Sequence, residues 1–362
     1  MSPTEDAGLR AARARVGTQL NGKWRLDQLL DVGGMGAVYS ATHRNGKRVA
    51  VKVLHAEYAA EETVRERFLR EGYVANKIGH PGAVSVLDDD TTEDGTVFLV
   101  MELLEGESVE ARIQRHGGIL PTREVLEIAA ETLAILGAAH TQGIIHRDIK
   151  PANLFVTRSG EVKLLDFGLA RVRDPMLSSL KLTSPNVVLG TSSYMSPEQA
   201  RAKWSIVDGR SDVFAVGAVM YRALANKIVH EGKDVQRRLY AAMTEPAQSL
   251  GKVAPTVPAV VVKVVDKALA FEMDQRWPTA EAMRYAVLDA FEQLKDAAVP
   301  SVRMTTSTER MPISTSAPSI VVDISLGDLN ELPATSEILE VSAVLDEDDT
   351  RNEAVPTHPK KA

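Results

Sequence analysis

The sequence runs to 362 residues, enough for one large domain or two ordinary ones, and its 44% hydrophobic and 25% charged content is that of a globular protein. A net charge of −7 gives no basis for nucleic-acid binding, and the absence of cysteine excludes disulfides and thiolate metal sites. No run approaches the roughly 20 apolar residues of a membrane span, and the N-terminal MSPTEDAGLRAARARVG lacks the apolar core of a signal peptide, so a cytoplasmic location is expected.

Residues 1–23 are polar and Ala/Arg-rich; they read as a flexible leader, with an amphipathic targeting helix as the alternative. Trp24–Val32 and Ala37–Ala41 read as strands on either side of a glycine cluster, Gly33-Gly34-Met35-Gly36. Glycines there let backbone N–H groups approach phosphate oxygens with no Cβ in the way, although the same cluster suits a plain hairpin turn. Arg48–Leu54 (RVAVKVL) is a strand with Lys52 inside an apolar run, either snorkelling from an edge or held against phosphate. Glu61–Ile78 has helical periodicity, with Val64, Phe68, Leu69, Tyr73 and Ile78 near one stripe and Glu71 beside it. Ala83–Asp88 and Thr96–Glu102 read as two more strands joined by the acidic turn DDTTEDG. Beyond Gly106 the pattern turns helical, beginning with the amphipathic Pro121–Gln142. The expected architecture is α+β: a five-strand lobe, then a mostly helical lobe to about residue 298, with a ligand in the cleft between them.

The chemistry concentrates in residues 146–168, HRDIKPANLFVTRSGEVKLLDFG. Asp148 and Asp166 stand eighteen residues apart, with Lys150 and Asn153 between them, and the short strand Glu161–Leu165 would return the second acid beside the first. One carboxylate can take a proton, an amide and a carboxylate suit Mg²⁺, and an ammonium suits a phosphate. Arg147 is a cation beside Asp148 that needs a partner. No paired histidine spacing supports a zinc site.

The HRDIKPAN and DFG wording, with VAVK upstream, resembles the eukaryotic-type (Hanks-type) serine/threonine protein kinases. GGMGAVY, GTSSYMSPE and DQRWPTA are similar to the bacterial members, and the likeness covers roughly Trp24–Leu294. It implies a bilobal kinase fold: N-lobe and hinge over 24–104, C-lobe over 105–298. It implies ATP and Mg²⁺, with Asp148 as catalytic base, Lys150 at the γ-phosphate, and Asn153 and Asp166 on the metal. Val32, Gly33, Gly34, Met35 and Gly36 would form the phosphate loop. Lys52 would meet the α- and β-phosphates, held by Glu71 of RFLRE. Met101 would be the gatekeeper and Glu102–Leu104 the hinge, with Val38, Ala50 and Phe155 around adenine. Arg147 would pair with a phosphorylated residue in Leu169–Gln199; Ser178, Ser179, Thr183 and Ser184 are candidates, with Thr183 preferred. Thr191 would hydrogen-bond near Asp148 and Lys150, Glu198 would pair with Arg276, and Asp212 would hold the HRD backbone.

The family's first loop glycine is replaced by Asp31. A carboxylate there either weakens ATP binding or marks a pseudokinase scaffold; the intact Lys52, Asp148 and Asp166 favour the enzyme. A small-molecule kinase is a third alternative, disfavoured by a GTSSYMSPE that looks like a peptide-docking loop. Residues 299–362 read as a disordered Ser/Thr/Pro-rich tail. From Ser301 onward it carries 5 Lys/Arg against 11 Asp/Glu, a net of −6, leaving −1 for the first 300 residues. It reads as a solvated linker, with autophosphorylation near Thr305–Thr308 and capture of a protein partner as the sharper alternative. The expected partners are otherwise proteins offering Ser or Thr hydroxyls.

Overall fold

The computed structural model describes residues 3–59, 61–167 and 192–298. The N-terminal lobe is built on an antiparallel sheet of order β1-β2-β3-β4-β6-β5. Its strands are Gln19–Leu20 (β1), Trp24–Val32 (β2), Gly36–His43 (β3), Arg48–Leu54 (β4), Val86–Thr91 (β5) and Val97–Met101 (β6). Side chains alternate across the sheet. Leu26, Tyr39, Val51, Val53, Phe98 and Val100 form the outer cluster, whereas Leu54, Leu99 and Val97 meet Phe68 on the inner face.

The outer face is covered by a helix where a flexible leader was expected. Pro3–Ala14 forms α1, which buries Ala12. The Tyr39 hydroxyl donates to the Ala12 carbonyl at 2.9 Å, and β1 adds a sixth strand by pairing with β2. A few small alanines suffice for this contact, because a helix with short side chains can lie close to a sheet. That is why no strong apolar stripe announced it.

The inner face carries α2, Glu62–Lys77. Its close approach depends on Gly72, where a Cβ would stand 3.1 Å from Val86 and 3.3 Å from Leu99. Tyr73 does not share the buried stripe: it is 61% exposed, and its hydroxyl donates to Asp89 at 3.2 Å. One residue past Gly72, it is rotated about 100° from the contact line. The strand expected from Ala83 begins only at Val86, because Gly82 and Ala83 are engaged with Leu164 of a second sheet.

That second sheet, β7-β8-β9, comprises Gly106–Ser108, Leu154–Thr157 and Val162–Leu164. The C-terminal lobe is otherwise helical: α3 (Val109–Arg115), α4 (Thr122–Thr141), α5 (Pro197–Ala200), α6 (Gly209–Ala225), α7 (Val235–Thr244), α8 (Leu250–Val253), α9 (Ala259–Ala268) and α10 (Ala280–Ala298). Helix α6 is buried from Ser211 to Tyr221 without a break, apolar on every side after Asp212, and forms the lobe's axis. Among the described residues no helix is long and apolar enough to cross a membrane.

Candidate active site

Three strands place the charged centre. Val38, Lys52 and Leu99 are neighbours across β3, β4 and β6, so Lys52 leaves the inner face toward α2. Its Nζ lies 2.7 Å from Glu71 Oε1 and 2.7 Å from Asp166 Oδ1. Burial opposes the Lys52 ammonium, but the two facing carboxylates outweigh it and hold its pKa above the ordinary lysine range. The Lys52 charge in turn holds Asp166 below the usual carboxylate range, whereas burial pushes Glu71 up. Asp166 opens to the cleft, its side chain 54% exposed. Its φ of 55° is left-handed, a conformation that Asp and Asn reach more readily than other non-glycine residues.

The loop His146–Asn153 is suspended from α6. Asp212, 1% exposed, accepts the His146 N–H at 2.9 Å and the Arg147 N–H at 2.8 Å. Burial works against this carboxylate, yet the His140 imidazole at 2.8 Å and the loop N–H groups keep its pKa low. Arg147 has φ 70°, and its carbonyl accepts from Gln199 Nε2 at 2.9 Å. His146 packs edge-on to Phe167 at 4.8 Å and its Nε2 bonds the Leu165 carbonyl, a structural use of the ring.

Within this loop Asp148 Oδ2 is occupied. It accepts from Lys150 Nζ at 2.9 Å and from Asn153 Nδ2 at 3.2 Å. Oδ1 is buried and has no hydrogen-bond partner among the described residues. One oxygen thus orients the carboxylate, and the other makes no hydrogen bond among the described residues. Asn153 also donates to the Asp148 carbonyl at 2.8 Å. Its two N–H groups face Asp148, so its amide oxygen is directed elsewhere. An amide oxygen and a carboxylate suit a hard divalent cation that keeps water and phosphate as its other ligands.

The residues expected around a nucleotide fall on β2, β3, β4, β6, the segment after β6, and β8. Ala50 is paired with Met101 across β4 and β6, and Val38, Met101, Leu104 and Phe155 are half-buried. The Glu102 carboxylate turns away from the hinge backbone: it receives Lys163 Nζ at 3.0 and 3.1 Å and the Ser85 N–H at 2.8 Å. In the glycine turn, the Gly33 N–H bonds the Gly36 carbonyl at 2.9 Å, while Val32 is half-buried and Gly34 exposed. A Cβ at Gly36 would stand 2.3 Å from the Val53 carbonyl. Met35 packs against the cluster of Leu54 and Phe68. Asp31 is exposed, and its Oδ1 accepts the Val32 N–H at 2.8 Å.

Glu198 and Arg276 form the expected pair, at 2.8 and 2.9 Å. Thr183, Thr191, Gly168 and the other activation-segment candidates lie outside the described residues. Motif reading missed His55, His140, Lys163 and Gln199. Of these only His140 had a local signal, its place near the end of the helix that delivers His146.

The family model for the protein kinase domain matches residues 24–288. The serine/threonine-protein kinase Pkn1 of Myxococcus xanthus is 36% identical over 271 residues, covering 74% of this chain and 38% of that protein. A probable serine/threonine-protein kinase PknB of Corynebacterium glutamicum is 35% identical over 298 residues, covering 80% and 45% respectively. This chain therefore spans less than half the length of either relative. The PknI kinase domain of Mycobacterium tuberculosis has the same fold, with a TM-score of 0.57 and 26% identity over 76% of this chain and 98% of that one. The chain belongs to the protein kinase family, in its bacterial branch of eukaryotic-type serine/threonine kinases.

Proposed function

We propose that the chain moves the γ-phosphoryl group of ATP onto Ser and Thr hydroxyls of proteins, including its own. The observation that carries this reading is the Lys52 ammonium, held 2.7 Å from both Glu71 and Asp166. It joins a strand, a helix and an acidic turn at one point, which is the arrangement a triphosphate needs. Asp148 supplies the base. As the acceptor oxygen bonds to the γ-phosphorus, its proton passes to Asp148 Oδ1 and the bond to the β–γ bridging oxygen breaks, releasing ADP. Lys150 offsets charge on the group in transit. Asn153 and Asp166 would hold Mg²⁺, whose charge neutralises the phosphates when it is bound. Val38, Ala50 and Phe155 would enclose adenine, with the Glu102–Leu104 backbone as its hydrogen-bonding edge.

Incubation with Mg·ATP and a mixed protein substrate tests this directly. Phosphate on Ser and Thr is the expected result, with sites on the chain mapped by mass spectrometry at Thr183 and Thr305–Thr308. No transfer at saturating Mg·ATP would overturn the reading. Lys52→Met should lower kcat by about 10²–10³-fold, the usual loss on deleting one preorganised charge-stabilising donor.

The scaffold alternative rests on Asp31. Its carboxylate is exposed and bonded to its own chain's Val32 N–H, so solvent screens it. Asp31→Gly is expected to lower the KM for ATP by no more than about fivefold, in line with an exposed charge worth up to ~1 kcal/mol. A gain of several hundredfold in steady-state assays would instead favour a nucleotide-poor scaffold.

A further inference from the structure

The glycine turn is gripped by a residue outside every motif. His55 follows β4, and strand alternation sends it to the outer face with Val53, opposite Lys52. It shares a cavity of about 70 Å³ there with Ala12 and Arg15 of the α1 segment, Tyr39 and Val53. Its main-chain N–H donates to the Met35 carbonyl at 3.0 Å. Its ring Nε2 lies 2.9 Å from the Gly33 carbonyl. A carbonyl oxygen only accepts, so the ring nitrogen is the donor. One residue thus holds the turn at two carbonyls, with backbone and side chain acting together.

The consequence follows from peptide geometry. In a trans peptide the C=O and the next N–H point in opposite directions. With the Gly33 carbonyl drawn to the outer face, the Gly34 N–H is turned toward the Lys52 side of the sheet. A Gly–Gly peptide has no side chain to prevent it from flipping, so without a tether that N–H has no preferred side.

We propose that His55 is a positioning residue of the phosphate loop, aiming the Gly34 N–H at the nucleotide phosphates; this rests on the nucleotide-binding reading above. His55 touches no nucleotide and acts only through the turn. Because the family's first loop glycine is Asp31 here, the loop enters the turn from a β2 that is bonded to β3 as far as Val32. Beyond Val32 the Gly33 N–H is held by the Gly36 carbonyl, and the Gly33–Gly34 and Met35–Gly36 peptides are held by His55.

The test is equilibrium binding of Mg·ATP and of adenosine to the full chain, comparing wild type, His55→Ala and His55→Gln. His55→Ala should weaken Mg·ATP about three- to tenfold, the worth of one neutral hydrogen bond, and leave adenosine, which has no phosphate, unaffected. His55→Gln retains a donor and should recover most of the loss. In turnover the Ala variant should raise KM for ATP with kcat nearly unchanged. Unaltered ATP affinity in His55→Ala, or equal losses for ATP and adenosine, would overturn the proposal. So would an equal loss of ATP affinity in both variants, which would reduce His55 to a packing residue. The comparison needs no phosphate transfer, so it stands apart from any failure of the catalytic reading.

Discussion

Asp148→Asn is expected to lower the rate of phosphoryl transfer by about 10²–10⁴-fold, the usual contribution of a positioned general base. The substitution keeps the shape of the side chain, and an amide oxygen can still accept from Lys150 and Asn153, as Oδ2 does now. What it removes is basicity at Oδ1, the oxygen with no hydrogen-bond partner among the described residues. Nucleotide affinity should therefore stay close to wild type, because Lys52, Glu71 and Asp166 are untouched. Single-turnover rates with radiolabelled ATP, beside equilibrium ATP binding, separate the two effects. A rate within tenfold of wild type would place the base elsewhere; a matching loss of ATP affinity would mean that Asp148 serves the site's structure instead.

Glu198→Ala should be the most damaging single change to stability outside the cleft. Arg276 is fully buried, and its guanidinium also donates to the carbonyls of Arg210, Ala270 and Phe271. Deleting the carboxylate leaves a buried cation with dipoles but no counter-charge, at a cost of about 3–5 kcal/mol. At roughly 2–4 °C per kcal/mol for a domain of this size, Tm should fall by roughly 10 °C. The double variant Glu198→Gln/Arg276→Met removes both charges and should lose less than the single Ala substitution. A Tm within about 2 °C of wild type for Glu198→Ala would show the pair to be dispensable.

The same pair predicts an acid limit. Burial raises the Glu198 carboxyl, but the hydrogen bonds and charge of Arg276, with the Ser211 hydroxyl, outweigh it and hold the pKa at about 2, against an ordinary 4.5. A group depressed on folding contributes stability fully above its unfolded value and loses it as pH falls toward the folded one. Chemical denaturation from pH 6 downward should therefore show stability falling below about 4.5 in wild type. The fall should be shallower in the Gln/Met variant, which has no such carboxyl.

Local sequence determined the chemistry of this protein. Asp148, Lys150, Asn153 and Asp166 lie within nineteen residues of one another. Groups that close need only one loop and one short strand to converge, so their spacing carries their meaning. The apolar run of Arg48–Leu54, buried on both faces of the sheet, and the 3.6-residue period of Thr122–Thr141 were legible for a related reason: each pattern reports what a single element buries. Pairings across the fold carried no such local mark. His55 reaches Gly33 across 22 residues, Lys163 reaches Glu102 across 61 and His140 reaches Asp212 across 72. Glu198 and Arg276, 78 apart, were found only through the family likeness. A polar side chain's partner is chosen by whichever backbone or carboxylate the packing brings within about 3 Å, and no residue type encodes that choice. Helix α1 belongs with these. Its Ala/Arg-rich run is as compatible with water as with a sheet, and only the apolar outer face of β2, β3 and β4, which needs covering, decided that it would be a helix at all.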